Sequence, residues 1–126
     1  MDLRLAIEPS DILTVFLRDG DAQATVSVHP PAAGAMSLGR ALQTAMGEGH
    51  GECFWPAATG GIYWWIFSRT HETLEVTALW TRGGVAIWEH VFRATDAAAW
   101  VHERLQSEIT RLELPGAGSP NNPITQ

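Results

Sequence analysis

The chain has 126 residues, 45% hydrophobic and 17% charged, enough for one domain that folds without disulfide or metal staples and too apolar for wholesale disorder. Acidic residues outnumber basic ones 14 to 8, and the net charge of -6 disfavours nucleic-acid phosphates while suiting a basic protein partner. No apolar run approaches the roughly 20 residues that span a bilayer. Met1-Asp2-Leu3-Arg4 lacks a basic stretch followed by an apolar core, so a cytoplasmic protein without membrane attachment is expected.

The N-terminal third reads as strands. Leu3, Leu5 and Ile7 alternate with Arg4, Ala6 and Glu8, the period of a half-buried strand. Pro9-Ser10-Asp11 breaks it, and a second strand is expected over 12–19. With Gly20-Asp21 as a two-residue turn, Asp19 faces Ala22, Leu17 faces Ala24, Val15 faces Val26 and Leu13 faces Val28. This register collects the apolar side chains on one face. Thr14, Arg18, Gln23, Thr25, Ser27 and His29 fall on the other, with Ile12 and Phe16 among them. A slip of one residue would scramble that sorting. Pro30-Pro31 ends the hairpin. Ser37 stands as an N-cap before Leu38, Ala41, Leu42 and Ala45 at helical spacing, and Gly47 as the stop. Residues 52–55 suggest a brief strand before Pro56.

Residues 62–68, 73–81 and 85–93 read as three consecutive strands, rich in aromatic and β-branched side chains. Gly83-Gly84 is a hairpin turn signal, and residues 69–72 supply the other turn. Asp96 then caps a long helix with the stripe Ala97, Trp100, Val101, Leu105, Ile109 and Leu112, closed by Leu114-Pro115-Gly116. The expected organisation is one α+β domain over 1–114 and a flexible tail over 115–126. The domain is a mostly antiparallel sheet of about six strands, order βββ-α-βββ-α, with both helices on one face.

A face-by-face count of the second half finds too much aromatic surface. With Gly83-Gly84 as the turn, Trp80, Ala78 and Val76 face Ile87, Glu89 and Val91, and Tyr63, Trp65 and Phe67 join them on a core face. The opposite face carries Ile62, Trp64, Ile66, Leu79, Trp88 and Phe92, with Glu75, Thr77, Thr81 and His90 among them. Leaving Trp64 and Trp88 in water forgoes roughly 1.5–3 kcal/mol apiece. Two readings follow. The N-terminal strands or a subunit partner cover this face, or it is a ligand or partner site centred on Trp64, Trp88, Glu75 and His90.

Other motifs fail on context. Gly47 to Cys53 is glycine-rich but follows a helix, and the chain has no lysine for a phosphate-binding loop. His102-Glu103 begins like a zinc-protease helix, yet Gln106 stands where the second histidine belongs. His50 and Cys53 are too few to hold a metal, and Cys53, the lone cysteine, reads as a structural thiol. Glu89, expected on the core face, calls for an arginine such as Arg93 or Arg104. No catalytic signature is assembled, and no cofactor or metal is implied. The all-arginine basic set, with abundant alanine and glycine, reads as codon bias of a GC-rich bacterial genome.

A short helix, an aromatic hairpin, a strand ending Trp88-Glu89-His90-Val91-Phe92 and a helix opening Asp96-x-x-x-Trp100 follow one another over 38–112. In this order the chain resembles the small immunity proteins that protect bacteria from polymorphic or contact-dependent toxins. The resemblance is architectural and carries over no functional residues. It implies a non-enzymatic cytoplasmic protein that binds and blocks a toxin. Beside it stand a small-molecule binder or enzyme using the aromatic face, a single-stranded nucleic-acid binder that the acidic balance opposes, and a self-associating scaffold.

Overall fold

The computed structural model describes residues 1–83 and 87–115. The expected turn at Gly83-Gly84 and the expected tail fall partly or wholly on 84–86 and 116–126, outside the described residues. Among the described residues seven strands and two helices follow in the order β1 (Asp2–Glu8), β2 (Ile12–Asp19), β3 (Ala22–Val28), α1 (Pro31–Glu48), β4 (His50–Pro56), β5 (Ile62–Thr70), β6 (Thr73–Thr81), β7 (Glu89–Ala97) and α2 (Ala98–Arg111). The α+β class and antiparallel pairing match expectation. The single six-stranded sheet does not: the strands form two sheets, β1-β2-β3 and β4-β5-β6-β7. Neither helix is long and apolar enough to cross a membrane.

The first sheet has the register that alternation dictates, with Leu13↔Val28, Val15↔Val26, Leu17↔Ala24 and Asp19↔Ala22. Leu3, Leu5, Leu13, Val15, Leu17, Val26 and Val28 are buried on its inner face. They share one core with Trp55, Trp65, Phe67, Val76, Phe92 and Ala94 from the second sheet, and with Leu38, Leu42, Val101, Leu105 and Ile109 from the helices. Both helices and the first sheet thus lie on the same side of the second sheet.

Both helix starts differ from expectation. Pro31 opens α1, and Ser37 lies inside it. There its hydroxyl donates to the Gly34 carbonyl and accepts the Trp55 indole N–H at 2.9 Å. Proline suits the first helical turn, where an N–H has no partner to lose. The helix ends at Gly49, in the left-handed conformation, two residues beyond the expected stop. Gly51 lets α1 lie close on β4, because a Cβ there would overlap the Ala41 carbonyl oxygen. Ala97, not Asp96, is the N-cap of α2, with no side-chain cap bond. Trp100 is 37% exposed rather than buried, and Glu108 takes a place in the buried stripe.

The edge strand β1 is closed by α2. Arg104 donates to the Leu3 carbonyl at 2.8 Å. The Leu5 N–H donates to Glu108 at 2.9 Å, and Arg111 donates to the Leu5 carbonyl at 2.6 Å. Side chains of the helix here satisfy backbone groups that would otherwise invite another strand.

β7 departs furthest from its expected position. Ala78 pairs with Phe92 and Val76 with Ala94, and a bulge between Ala78 and Leu79 shifts the pairing to Leu79↔His90 and Trp80↔Glu89. The strand has slipped by an odd number of residues below the bulge, so Phe92, expected on the outer face, is buried. Glu89, expected in the core, lies exposed at the sheet's end. In contrast β5 and β6 join at Thr70↔Thr73, an even shift from the Thr70-His71 turn, and every β5 side chain keeps its expected face.

Candidate functional site

The outer face of the second sheet is built in rows. One runs Phe54, Trp64, Leu79, His90 across β4 to β7; the next runs Glu52, Ile66, Thr77, Arg93; a third runs His50, Ser68, Glu75, Thr95. Alternation along β4 turns Glu52 and Phe54 outward while Gly51 and Trp55 face α1 and the core.

Three aromatic rings meet on this face. Phe54 stacks on Trp64 at 5.5 Å between centroids, and Trp88 lies 5.1 Å from Trp64 and 6.2 Å from Phe54. Trp88 precedes β7 and reaches past β6 to make these contacts. The rings shield one another in part, so Trp64 and Trp88 are half-buried, but Phe54 remains 53% exposed. The N-terminal strands pack on the other side of the sheet and leave this face open.

A polar rim surrounds the cluster. The Trp64 indole N–H donates to Glu52 Oε1 at 2.9 Å, and Glu52 Oε2 lies 2.9 Å from His50 Nε2. The bond from His50, helped by that from Trp64, holds the Glu52 carboxyl below its ordinary value. On the far side Arg93 Nε donates to Glu75 at 2.9 Å.

Of the four expected residues, Trp64 and Trp88 are in direct contact. His90 shares their row on β7 and is exposed. Glu75 lies on the same face but four residues along β6 from Leu79, bound to Arg93 rather than among the indoles. Sequence reasoning missed Phe54, Glu52 and Arg93 as members of the face. The alternation Glu52-Cys53-Phe54-Trp55 was the available signal, but a short strand gives no hint of which neighbour it joins.

Other candidates separate in space. His50 and Cys53 stand on opposite faces of β4, as residues three apart in a strand must. Burial pushes the Cys53 thiol up to about 12, so it stays protonated at neutral pH and packs as a small apolar group. Among the described residues no group of three or more His, Cys, Asp or Glu side chains converges on a metal position. The clefts near Met46 and Arg69, and near Ser37 and Cys53, do not include Trp64 or Trp88.

No family model matches this chain, nor does any curated protein or solved structure. The site therefore has to be read from its own geometry.

Proposed function

We propose that this chain is a non-enzymatic protein-binding module whose docking surface is the outer face of β4–β7. One observation carries the reading: the Phe54–Trp64–Trp88 cluster stands on an open sheet face, with the hydrogen-bonded His50–Glu52 pair and the Arg93–Glu75 ion pair at its margins. Clustered aromatic rings within a polar rim are the composition of binding hot spots. A small-molecule site would enclose its ligand in a concave pocket. These rings project from a sheet instead, which favours a partner with a broad surface.

An immunity-type inhibitor of a bacterial toxin is the narrower form of this proposal. It draws on the architectural resemblance and on the net charge of -6, which would steer the chain toward a basic toxin. Co-expression with the product of the adjoining reading frame tests it. The proposal expects a complex, rescue of growth, and at least an about tenfold loss of affinity in Phe54→Glu. A metabolic neighbour with no complex and no rescue removes the immunity form. A complex that Phe54→Glu leaves unchanged removes this face as the docking surface.

A further inference from the structure

Taking from the proposed function only that this face docks a protein, and not its immunity form, we infer that the occupant is a second copy of the chain, related by a two-fold axis parallel to the strands that seats each Glu52 against Arg93 of the other copy. The register is the basis. Glu52 on β4 and Arg93 on β7 stand in a single row, Glu52↔Ile66↔Thr77↔Arg93, with opposite charges at opposite edges of the sheet. A two-fold axis along the strands lays β4 of one copy over β7 of the other without changing the row. Each carboxylate then meets a guanidinium, twice per dimer, as a self-complementary interface requires.

The remaining rows agree. Phe54 falls over His90 of the second copy, Trp64 over its Leu79, and Glu75 over its Ser68. No like charges are opposed. Face-to-face sheets are rotated by about 30°. Glu52 and Arg93 lie about 7 Å from the axis at the usual strand spacing. The rotation moves one relative to the other by about 3.5 Å, within the reach of an arginine side chain.

The donors are available. Arg93 gives its Nε to Glu75, and its two Nη groups have no acceptor among the described residues. Glu52 accepts one bond on each oxygen, which leaves a lone pair on both. Docking would join His50, Glu52, Arg93 and Glu75 into one chain of hydrogen bonds across the interface.

Charge also permits a like partner on this face. Two copies of a chain with net charge -6 repel each other overall. The outer face holds two carboxylates, Glu52 and Glu75, against Arg93, with His50 and His90 beside them. Four strands of this length cover a planar footprint of roughly 500 Å2 before side-chain relief is counted. A standard interface covers roughly 800 Å2 of accessible surface per partner.

Analytical ultracentrifugation of the whole chain tests the inference, with circular dichroism melts confirming that each variant folds. The wild type should sediment as a dimer at micromolar concentration. Glu52→Arg and Arg93→Glu should each weaken it by at least about tenfold, since like charges then face each other. An equimolar mixture of the two variants should restore the dimer, because both opposed pairs are again of opposite sign. Phe54→Glu should give monomers. A wild type that stays monomeric to roughly 100 μM, weaker than most specific protein complexes, overturns the inference. So does a dimer untouched by these substitutions, or a mixture that fails to restore it. A monomer whose complex with a foreign protein is lost in Phe54→Glu refutes the second copy alone and leaves the docking face standing.

Discussion

The two sheets expose their outer faces in opposite ways. On the first sheet the outer face carries one aromatic ring, Phe16, with the Arg4 guanidinium 5.4 Å above it. Arg18, Gln23 and Thr25 stand round it and line a cleft of about 400 Å3. On the second sheet three rings gather side by side, and Phe54 remains 53% exposed. The same layering produced both faces. An aromatic cluster is therefore not a cost that the architecture imposes; the first sheet shows how arginine stems and short polar residues cover a lone ring. The contrast is the reason to read the second face as a docking surface.

The largest test of that contrast compares two adjacent tryptophans. Trp65 is fully buried, while Trp64 faces outward. Trp65→Ala should cost about 3–5 kcal/mol in urea denaturation, as loss of a core aromatic does. Trp64→Ala should cost about 1 kcal/mol, the value of its ring contacts. Equal losses would mean that the outer face is part of the folding core, and the docking reading would fail with it.

A second test concerns how the first sheet is kept from binding along its edge. Glu108 is 4% exposed and accepts from the Leu5 N–H and from Arg111. Arg111 is half exposed, which lowers the value of the pair from that of a fully buried one. Glu108→Ala, which leaves the Leu5 N–H without its acceptor, should cost about 1–3 kcal/mol. The Arg111 hydrogen bond, with the Leu5 N–H and against the effect of burial, holds the Glu108 carboxyl below its ordinary value. A depressed carboxyl adds stability above its unfolded value of about 4.3. That stability is lost as pH falls through and below this point. Glu108→Gln should therefore flatten the acid limb of the stability curve. An unchanged limb would show that the pair contributes nothing.

The smallest expected effect is Arg4→Ala. It uncovers Phe16 and should cost about 0.5–1 kcal/mol, the scale of an exposed cation–π contact. A rise in self-association of that variant, followed by light scattering, would turn the first face into a weak imitation of the second. No change would mean that a lone ring needs no cover, and that the contrast rests on the cluster rather than on shielding.

The hairpin β2–β3 was legible residue by residue because its turn is two residues long and its alternation is unbroken. A short loop fixes register, and register fixes faces. The sorting of Trp64 from Trp65 was legible for the same reason, even though the β5–β6 turn is displaced by one residue on each strand. β7 was not: Trp80 pairs with Glu89 instead of Ile87, a shift of two that by itself keeps the faces, and the bulge between Ala78 and Leu79 adds one more and inverts them from Phe92 onward. Nothing in Val91-Phe92-Arg93 announces which of the three turns inward; contact with Ala78 decides it.

Sequence alone determined the class of the chain, the strands of the first sheet and the two-faced character of β5 and β6. Those follow from periodicity, a property of neighbours along the chain. Tertiary structure decided that the strands divide into two sheets, that β4 brings Phe54 and Glu52 beside Trp64, and that Arg93 rather than Phe92 faces out. Those depend on which strand lies next to which, and the free energy that selects the neighbour comes from burying side chains far apart in sequence.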